Sequence, residues 1–267
     1  MEKIGLLAGA GRLPVEFARA ARKLGFEVYV IALIDEVEEE LAQYASVYKL
    51  ISIGQLDTIM QFLRENSISQ VTMIGKVTKE MMFAGKVAAD ERAQRFLMAL
   101  PDRSDDTLML AFVKELASEG IKTFDQTALI RSLLVAPGTV TKREPTQAEQ
   151  SDMEFGFKMA KAIGGLDIGQ TVVVKNCAVM AVEAIEGTDA CVLRGGQLGR
   201  GGVTVVKVAK PKQDVRFDMP AIGVITIQSM ITAGATALAM EAGKTLLIDR
   251  EKVAALANEN GITIVAL

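Results

Sequence analysis

The sequence predicts an α/β protein with an N-terminal Rossmann-like domain around a parallel sheet and a second α/β domain behind it. Short apolar, β-branched runs alternate with helical periodicity through the first third, as βα units do. Two prolines and a glycine in residues 136–145 interrupt that periodicity near mid-chain. A chain of 267 residues, 50% hydrophobic and 24% charged, is long enough for two cores. The expected organisation is therefore a nucleotide-binding domain over 1–135, a hinge over 136–145 and a catalytic domain over 146–267.

In the first domain, strands are expected at 3–8, 27–34, 48–53, 70–74 and 121–124, and helices at 14–24, 56–66 and 106–119. Gly25, Gly54 and Gly120 fall just past element ends, where stop signals belong. In the second domain the pattern predicts a helix over 146–163, then strands at 171–174 and 178–183 around a tight turn at Lys175-Asn176. A strand at 203–209 and a helix at 226–242 follow, and 245–248, 251–260 and 262–266 are expected to close a βαβ unit.

Composition excludes several functions. The chain has 33 acidic and 30 basic side chains, a net charge of -3 and 5% aromatics. It therefore offers nucleic acid neither a basic field nor a stacking platform. It has 0 His, so carboxylates, Lys, Arg and backbone amides must carry any chemistry. Cys177 and Cys191 form no CxxC, which suits two ordinary thiols in a reducing, cytoplasmic setting. Met1-Glu2-Lys3 runs straight into the first apolar run, so no cleavable leader is expected. The uncharged stretch 219–240 is long enough to span a bilayer, but Pro220, Gly223, Gln228 and Gly234 favour a buried helix behind a loop.

Gly9-Ala10-Gly11-Arg12-Leu13-Pro14 follows the first strand and opens a helix, a context in which backbone amides can hold a phosphate. Pro14 stands where a dinucleotide fingerprint has glycine, while Asp35 has the spacing of a ribose contact. An anion or nucleotide site, a dinucleotide site and a plain βα turn all fit these residues. Ser104 or Asp105 reads as a helix N-cap within the acidic run Asp102-Arg103-Ser104-Asp105-Asp106, with a catalytic role as the alternative. Met81-Met82-Phe83 suits either helix core or an adaptable surface for flexible chains. Residues 194–202 hold so much glycine that a mobile loop is expected, with Arg194 and Arg200 able to approach an anion.

The second domain is richer. Glu183-Ala184-Ile185-Glu186-Gly187-Thr188-Asp189 gathers three carboxylates, a hydroxyl and a glycine at a strand end. Lys210-Pro211-Lys212-Gln213-Asp214-Val215-Arg216-Phe217-Asp218-Met219-Pro220 alternates charges. In extended chain Asp214, Arg216 and Asp218 project to one side. Carboxylates so spaced suit Mg²⁺, and Arg or Lys suits phosphoryl oxygens. A solvated charged loop is the competing reading, against which Phe217, Met219 and Pro220 weigh.

These motifs, with Leu166-Asp167-Ile168-Gly169-Gln170, make the sequence resemble the LpxI-type UDP-2,3-diacylglucosamine pyrophosphatases of lipid A biosynthesis over nearly the whole chain. Lys212 and Ala221 depart from the family, which often has glycine and threonine there. The resemblance implies Mg²⁺-dependent hydrolysis of UDP-2,3-diacylglucosamine to UMP and 2,3-diacylglucosamine 1-phosphate (lipid X), in a cleft between two domains. It also points to a homodimer. A substrate with two acyl chains calls for an apolar groove or peripheral contact with the inner membrane. The candidate catalytic residues are Asp218, Asp214 and Arg216. Gly9, Gly11, Arg12, Lys76, Glu186, Gly187, Thr188 and Lys210 are the candidates for substrate binding, and Asp218, Asp214 and Asp189 for Mg²⁺. A non-catalytic nucleotide-sugar or dinucleotide binder is the alternative, with a nicotinamide-dependent dehydrogenase as a third reading.

Overall fold

The computed structural model describes residues 1–77, 89–102, 104–212, 214, 216 and 219–267, leaving aside the side chains of Asp105 and Asp106. Met81-Met82-Phe83 and Asp218 lie outside the described residues. The chain forms two compact α/β units, the first built on Met1–Arg131 and the second beginning at Ser132.

In the first unit, β1 (Lys3–Ala8), β2 (Glu27–Ala32), β3 (Val47–Leu50), β4 (Gln70–Ile74) and β5 (Lys122–Thr123) form one sheet in the order β3-β2-β1-β4-β5. All its pairings are parallel. This is the expected Rossmann-like arrangement, with β1 between strands reached by crossovers running opposite ways. Side chains alternate across the strands. Leu7, Tyr29, Ile31, Val71 and Met73 face α2 (Leu56–Glu65), α3 (Glu91–Met98) and α4 (Asp105–Ser118) in one core. Helix α1 (Leu13–Lys23) packs on β1 and β2 and buries Phe17 completely. Ser104 is the N-cap of α4, accepting from Thr107 N at 3.3 Å. That structural role accounts for its place before the helix.

In the second unit, β6 (Gly138–Thr139), β7 (Thr171–Lys175), β8 (Ala178–Val182), β9 (Thr204–Lys207), β11 (Ala237–Met240) and β13 (Thr263–Ala266) form a mixed sheet in the order β6-β13-β11-β9-β7-β8. Strands β9, β11 and β13 run parallel; β6, and β7 against its two neighbours, run antiparallel. One face packs under α5 (Gln147–Gly165) through Val172, Val174, Val206 and Ala239. The other, with Val173, Val205, Leu238 and Ile264, packs under α6 (Thr188–Gly199), α7 (Val224–Thr232) and α8 (Arg250–Glu259).

Several local expectations are corrected. Residues 194–200 are not a loop but the end of α6 and its cap, because Gly195 and Gly196 let the helix lie close to its neighbours. The run 226–242 is not one helix. It turns at Ala233-Gly234, with Gly234 at φ 65°, and continues as β11. The stretch 245–248 holds β12 (Leu246–Leu247), which pairs with β10 (Ala221–Ile222) in a separate ribbon, so the closing βαβ is β11-α8-β13. The β7-β8 turn lies one residue later than expected, at Asn176-Cys177, both with positive φ as a type I′ turn requires.

Within 136–145, β6 joins the second sheet and Arg143 is tied down on several sides. Its guanidinium grips Glu149 bidentately, both contacts at 2.8 Å, and donates to the Thr236 and Gly261 carbonyls. Glu149 also closes a capping box with Thr146 at the start of α5. Burial alone would raise the Glu149 carboxyl, but Arg143 and the Thr146 backbone N–H bring it from 4.5 down to about 2. A depressed folded pKa means stability that is present above about pH 4.5 and lost as pH falls toward 2. Glu149→Gln is therefore expected to cost about 2 kcal/mol at pH 7 in urea unfolding. The difference from wild type should shrink steadily below pH 4.5. A difference that stays constant down to pH 3 would contradict this assignment.

Candidate functional site: the strand edges and the start of α6

At the end of β1 the turn is fastened to the turn after β4. Ala10 and Lys76 exchange two backbone hydrogen bonds of 2.9 Å, and Gly9 N donates to Ile74 O. A Cβ on Gly9 would lie 2.7 Å from Lys76 O. Gly9 is therefore required by this backbone approach, and its amide, like those of Ala10 and Lys76, is spent on it. Gly11 differs: φ is 99° and the space around it is open. Arg12 forms ion pairs with Glu40 and Glu16, and its guanidinium holds the Glu40 carboxyl below the usual range. The Lys76 side chain is exposed, as is Asp35, three residues beyond the end of β2.

In the second unit the polar residues collect where β9 ends. Lys207 pairs in register with Thr171 of β7, and both side chains lie on the α6 face, in step with Val205 and Val173. Gly187, at φ 82°, caps α6 without a side-chain hydrogen bond. Thr188 Oγ1 accepts from Lys207 Nζ at 2.8 Å and donates to Glu183 Oε1 at 2.8 Å. Glu183 Oε2 accepts from Gln170 N. That contact depends on Gly169, where a Cβ would meet Glu183 O at 2.1 Å. Helix polarity makes such an amino-terminal turn attractive to anions. Two buried oxygens, Asp189 Oδ1 and Gln170 Oε1, have no hydrogen-bond partner among the described residues.

The segment after β9 leaves from a clamped base. Lys161 Nζ donates to Ala209 O at 2.7 Å and to the buried Glu241, whose Oε2 accepts from Ala209 N at 3.0 Å. Burial would raise the Glu241 carboxyl, but Lys161, Lys244 and the Ala209 amide hold it below the ordinary carboxylate range. Lys210 is paired with Asp167 at 2.6 Å. Among the described residues of 210–220 the chain makes turns at Pro211-Lys212 and at Arg216 and forms no strand. The one-sided projection expected of Asp214, Arg216 and Asp218 runs through Val215, Phe217 and Asp218, which lie outside the described residues. Asp214 and Arg216 are half-buried and both have partners.

Glu186 is bound to Arg194 at 2.5 Å. Burial acts to raise its carboxyl, but Arg194 together with the Glu186 and Ala184 backbone amides holds it below the ordinary carboxylate range. Among the described residues no three carboxylates or thiols gather as a metal ion requires. Asp189 offers a single orphaned oxygen among the described residues, and Asp218, which completes the carboxylate set expected for Mg²⁺, lies outside them. Sequence reasoning missed Lys207, Lys161 and Glu241. The available signal for Lys207 was a lone cation inside the apolar run Val205-Val206-Lys207-Val208-Ala209.

A Rossmann-like unit followed by a mixed α/β unit, with a buried Lys and a buried Glu joined through Thr188 at a helix start, defines a two-unit α/β protein. The LpxI N-terminal domain description matches residues 3–133 and the LpxI C-terminal domain description residues 136–265. The chain belongs to the LpxI family. It is 32% identical over 279 aligned residues to the UDP-2,3-diacylglucosamine pyrophosphatase LpxI of Caulobacter vibrioides, covering 100% of this chain and 98% of that protein. A shorter match, 32% identical over 139 residues, covers 47% of this chain and 23% of the bifunctional purine biosynthesis protein PurH of Sinorhizobium fredii. Among solved structures, UDP-glucose 4-epimerase of Thermotoga maritima overlaps 55% of this chain and 42% of its own, at 13% identity and a TM-score of 0.32. That overlap is too slight to carry an argument.

Proposed function

We propose that this protein hydrolyses the pyrophosphate bond of UDP-2,3-diacylglucosamine, releasing UMP and 2,3-diacylglucosamine 1-phosphate for lipid A biosynthesis. The observation that carries the reading is the end-to-end similarity to the Caulobacter vibrioides pyrophosphatase. It favours turnover over binding alone. Water is a poor nucleophile and the phosphoryl oxygens repel it, so the protein has chiefly to neutralise charge and align the attack. Lys207 and the amino-terminal turn of α6, which has no side-chain cap, supply positive potential for the phosphates. Gly11 leaves its turn open for the nucleotide part. Asp214 and Asp218 are the groups assigned to orient water, since there is no imidazole to do so. Mg²⁺ belongs to the proposal as the group that would neutralise pyrophosphate charge when bound, with Asp214, Asp218 and Asp189 as its ligands.

No helix among the described residues is long and apolar enough to cross a membrane. A cytoplasmic enzyme in peripheral contact with the inner membrane, acting as a homodimer, completes the proposal. Purified protein is expected to release UMP from the UDP-lipid with Mg²⁺ and to stop when a chelator is added. Binding of the lipid without UMP release would replace the hydrolase with a carrier or sensor, and turnover unaffected by chelator would remove the metal.

A further inference from the structure

Lys207 is 7% exposed, yet its ammonium has a single hydrogen-bond partner, the Thr188 hydroxyl at 2.8 Å, and forms no ion pair among the described residues. An ammonium carries three donors, and a buried charge so sparsely satisfied is costly unless something else balances it. Glu183, 8% exposed, lies on the far side of the same hydroxyl. A hydroxyl has one proton, and Thr188 gives it to Glu183. While that bond lasts Thr188 cannot donate to a ligand, and its oxygen is held between a buried cation and a buried anion. Thr188 is also the first residue of α6, so fixing its side chain fixes the amino-terminal turn.

We propose that Lys207 is a positioning residue for the phosphate-bearing end of the substrate, acting through Thr188 and Glu183 as one unit. This rests on the pyrophosphatase reading and deepens it. Lys207 holds the α6 turn in the geometry that receives the phosphates, and its buried charge is fully balanced only when that anionic group is bound. Sequence order places Glu183 and Thr188 in one run but does not join Lys207 to them, because it comes from a separate strand 19 residues after Thr188.

The test uses Lys207→Met, Lys207→Arg, Thr188→Val, Thr188→Ser and the Lys207→Met/Thr188→Val double variant. UMP release and the rise in melting temperature produced by UMP are both measured. Lys207→Met is expected to lower kcat/KM about thirtyfold or more and to lose most of the UMP-induced rise. Lys207→Arg and Thr188→Ser should each recover part of the loss. The double variant should be no worse than its worse single, as members of one unit require. Multiplying effects, or normal kcat/KM in folded Lys207→Met, overturn the proposal. A lower melting temperature with the UMP-induced rise intact makes Lys207 merely structural and overturns it as well. If Lys207→Met does not fold, Thr188→Val against Thr188→Ser decides, because a pair with equal activities removes the hydroxyl from the unit. Should the wild type release no UMP, the pyrophosphatase reading fails while the UMP-induced shifts still judge Lys207; no shift in folded wild type overturns the Lys207 proposal.

Discussion

Replacing Asp218 with Asn is expected to lower the rate of UMP release by at least about a hundredfold while UMP binding survives. The reasoning starts from what the chain lacks. With 0 His, water and any metal must be managed by carboxylates, and 210–220 is the stretch that sets two of them beside Arg216 and Lys210. Asn keeps the size of the side chain and removes its charge, so the loss reports the anion and not the packing. The segment begins from a firm base, since Ala209 is held at both its N–H and its C=O by Glu241 and Lys161. A substitution nine residues further on should leave that base standing. Circular dichroism checks the fold, and a Mg²⁺ titration separates two outcomes: rescue by excess metal assigns Asp218 to the ion, and failure of rescue assigns it to the water. Near-normal turnover in folded Asp218→Asn would return the segment to a solvated charged loop.

Much of the first sheet was legible because its strands are short, continuous apolar runs bounded by glycine, and burial on both faces leaves little else for such runs to do. Val28-Tyr29-Val30-Ile31 in β2 is a clear instance, each residue buried. Strand ends were read too long, as at 27–34, because Leu33 and Ile34 stay apolar after the ladder has ended at Ala32. The second unit resisted for a different reason. Its apolar run 219–240 contains a ribbon strand, a helix and a core strand, and hydrophobicity without period cannot divide them. Only Gly234, in its left-handed turn, marks the break.

The candidate site was legible where residues sit together in sequence. The run 183–189 pointed to the start of α6, and the structure supplies the mechanism: Gly187 forms the cap and Glu183 reaches Thr188. It was illegible where partners come from afar. Lys207 is 19 residues from Thr188, and Glu241 is 80 from Lys161. The glycines of the first turn carried a half-truth. Gly9 permits a close approach as expected, but the atom approaching is Lys76 O.

Glycine also carries the last prediction, since the same residue type was read as loop at 195–199 and turned out to be helix. Gly196→Ala is expected to destabilise the fold by about 3 kcal/mol in chemical denaturation, at the upper end for overpacking. The added methyl would stand 2.3 Å from Ala233 O and 2.5 Å from Ala233 Cβ, where α7 ends against α6. The obstacle is backbone and cannot rotate aside. Ala233 is itself fixed, donating to Ser229 O at 2.9 Å, and Gly201 N returns a bond to Gly196 O. Relief therefore requires the two helices to part, and with them the core around Val192 and Met230. Gly165→Ala is the control, for it lies in the last turn of α5, where a Cβ meets only Pro211 Cγ at an ordinary 3.8 Å. There the gain in helix propensity should stabilise by about 0.5–1 kcal/mol. A free-loop stretch at 195–199 would tolerate alanine as readily as Gly165 does, so equal stabilities of the two variants would sink the close-packed reading. Because α6 carries Thr188 at its other end, the same loosening should also lower UMP affinity in Gly196→Ala and leave it unchanged in Gly165→Ala.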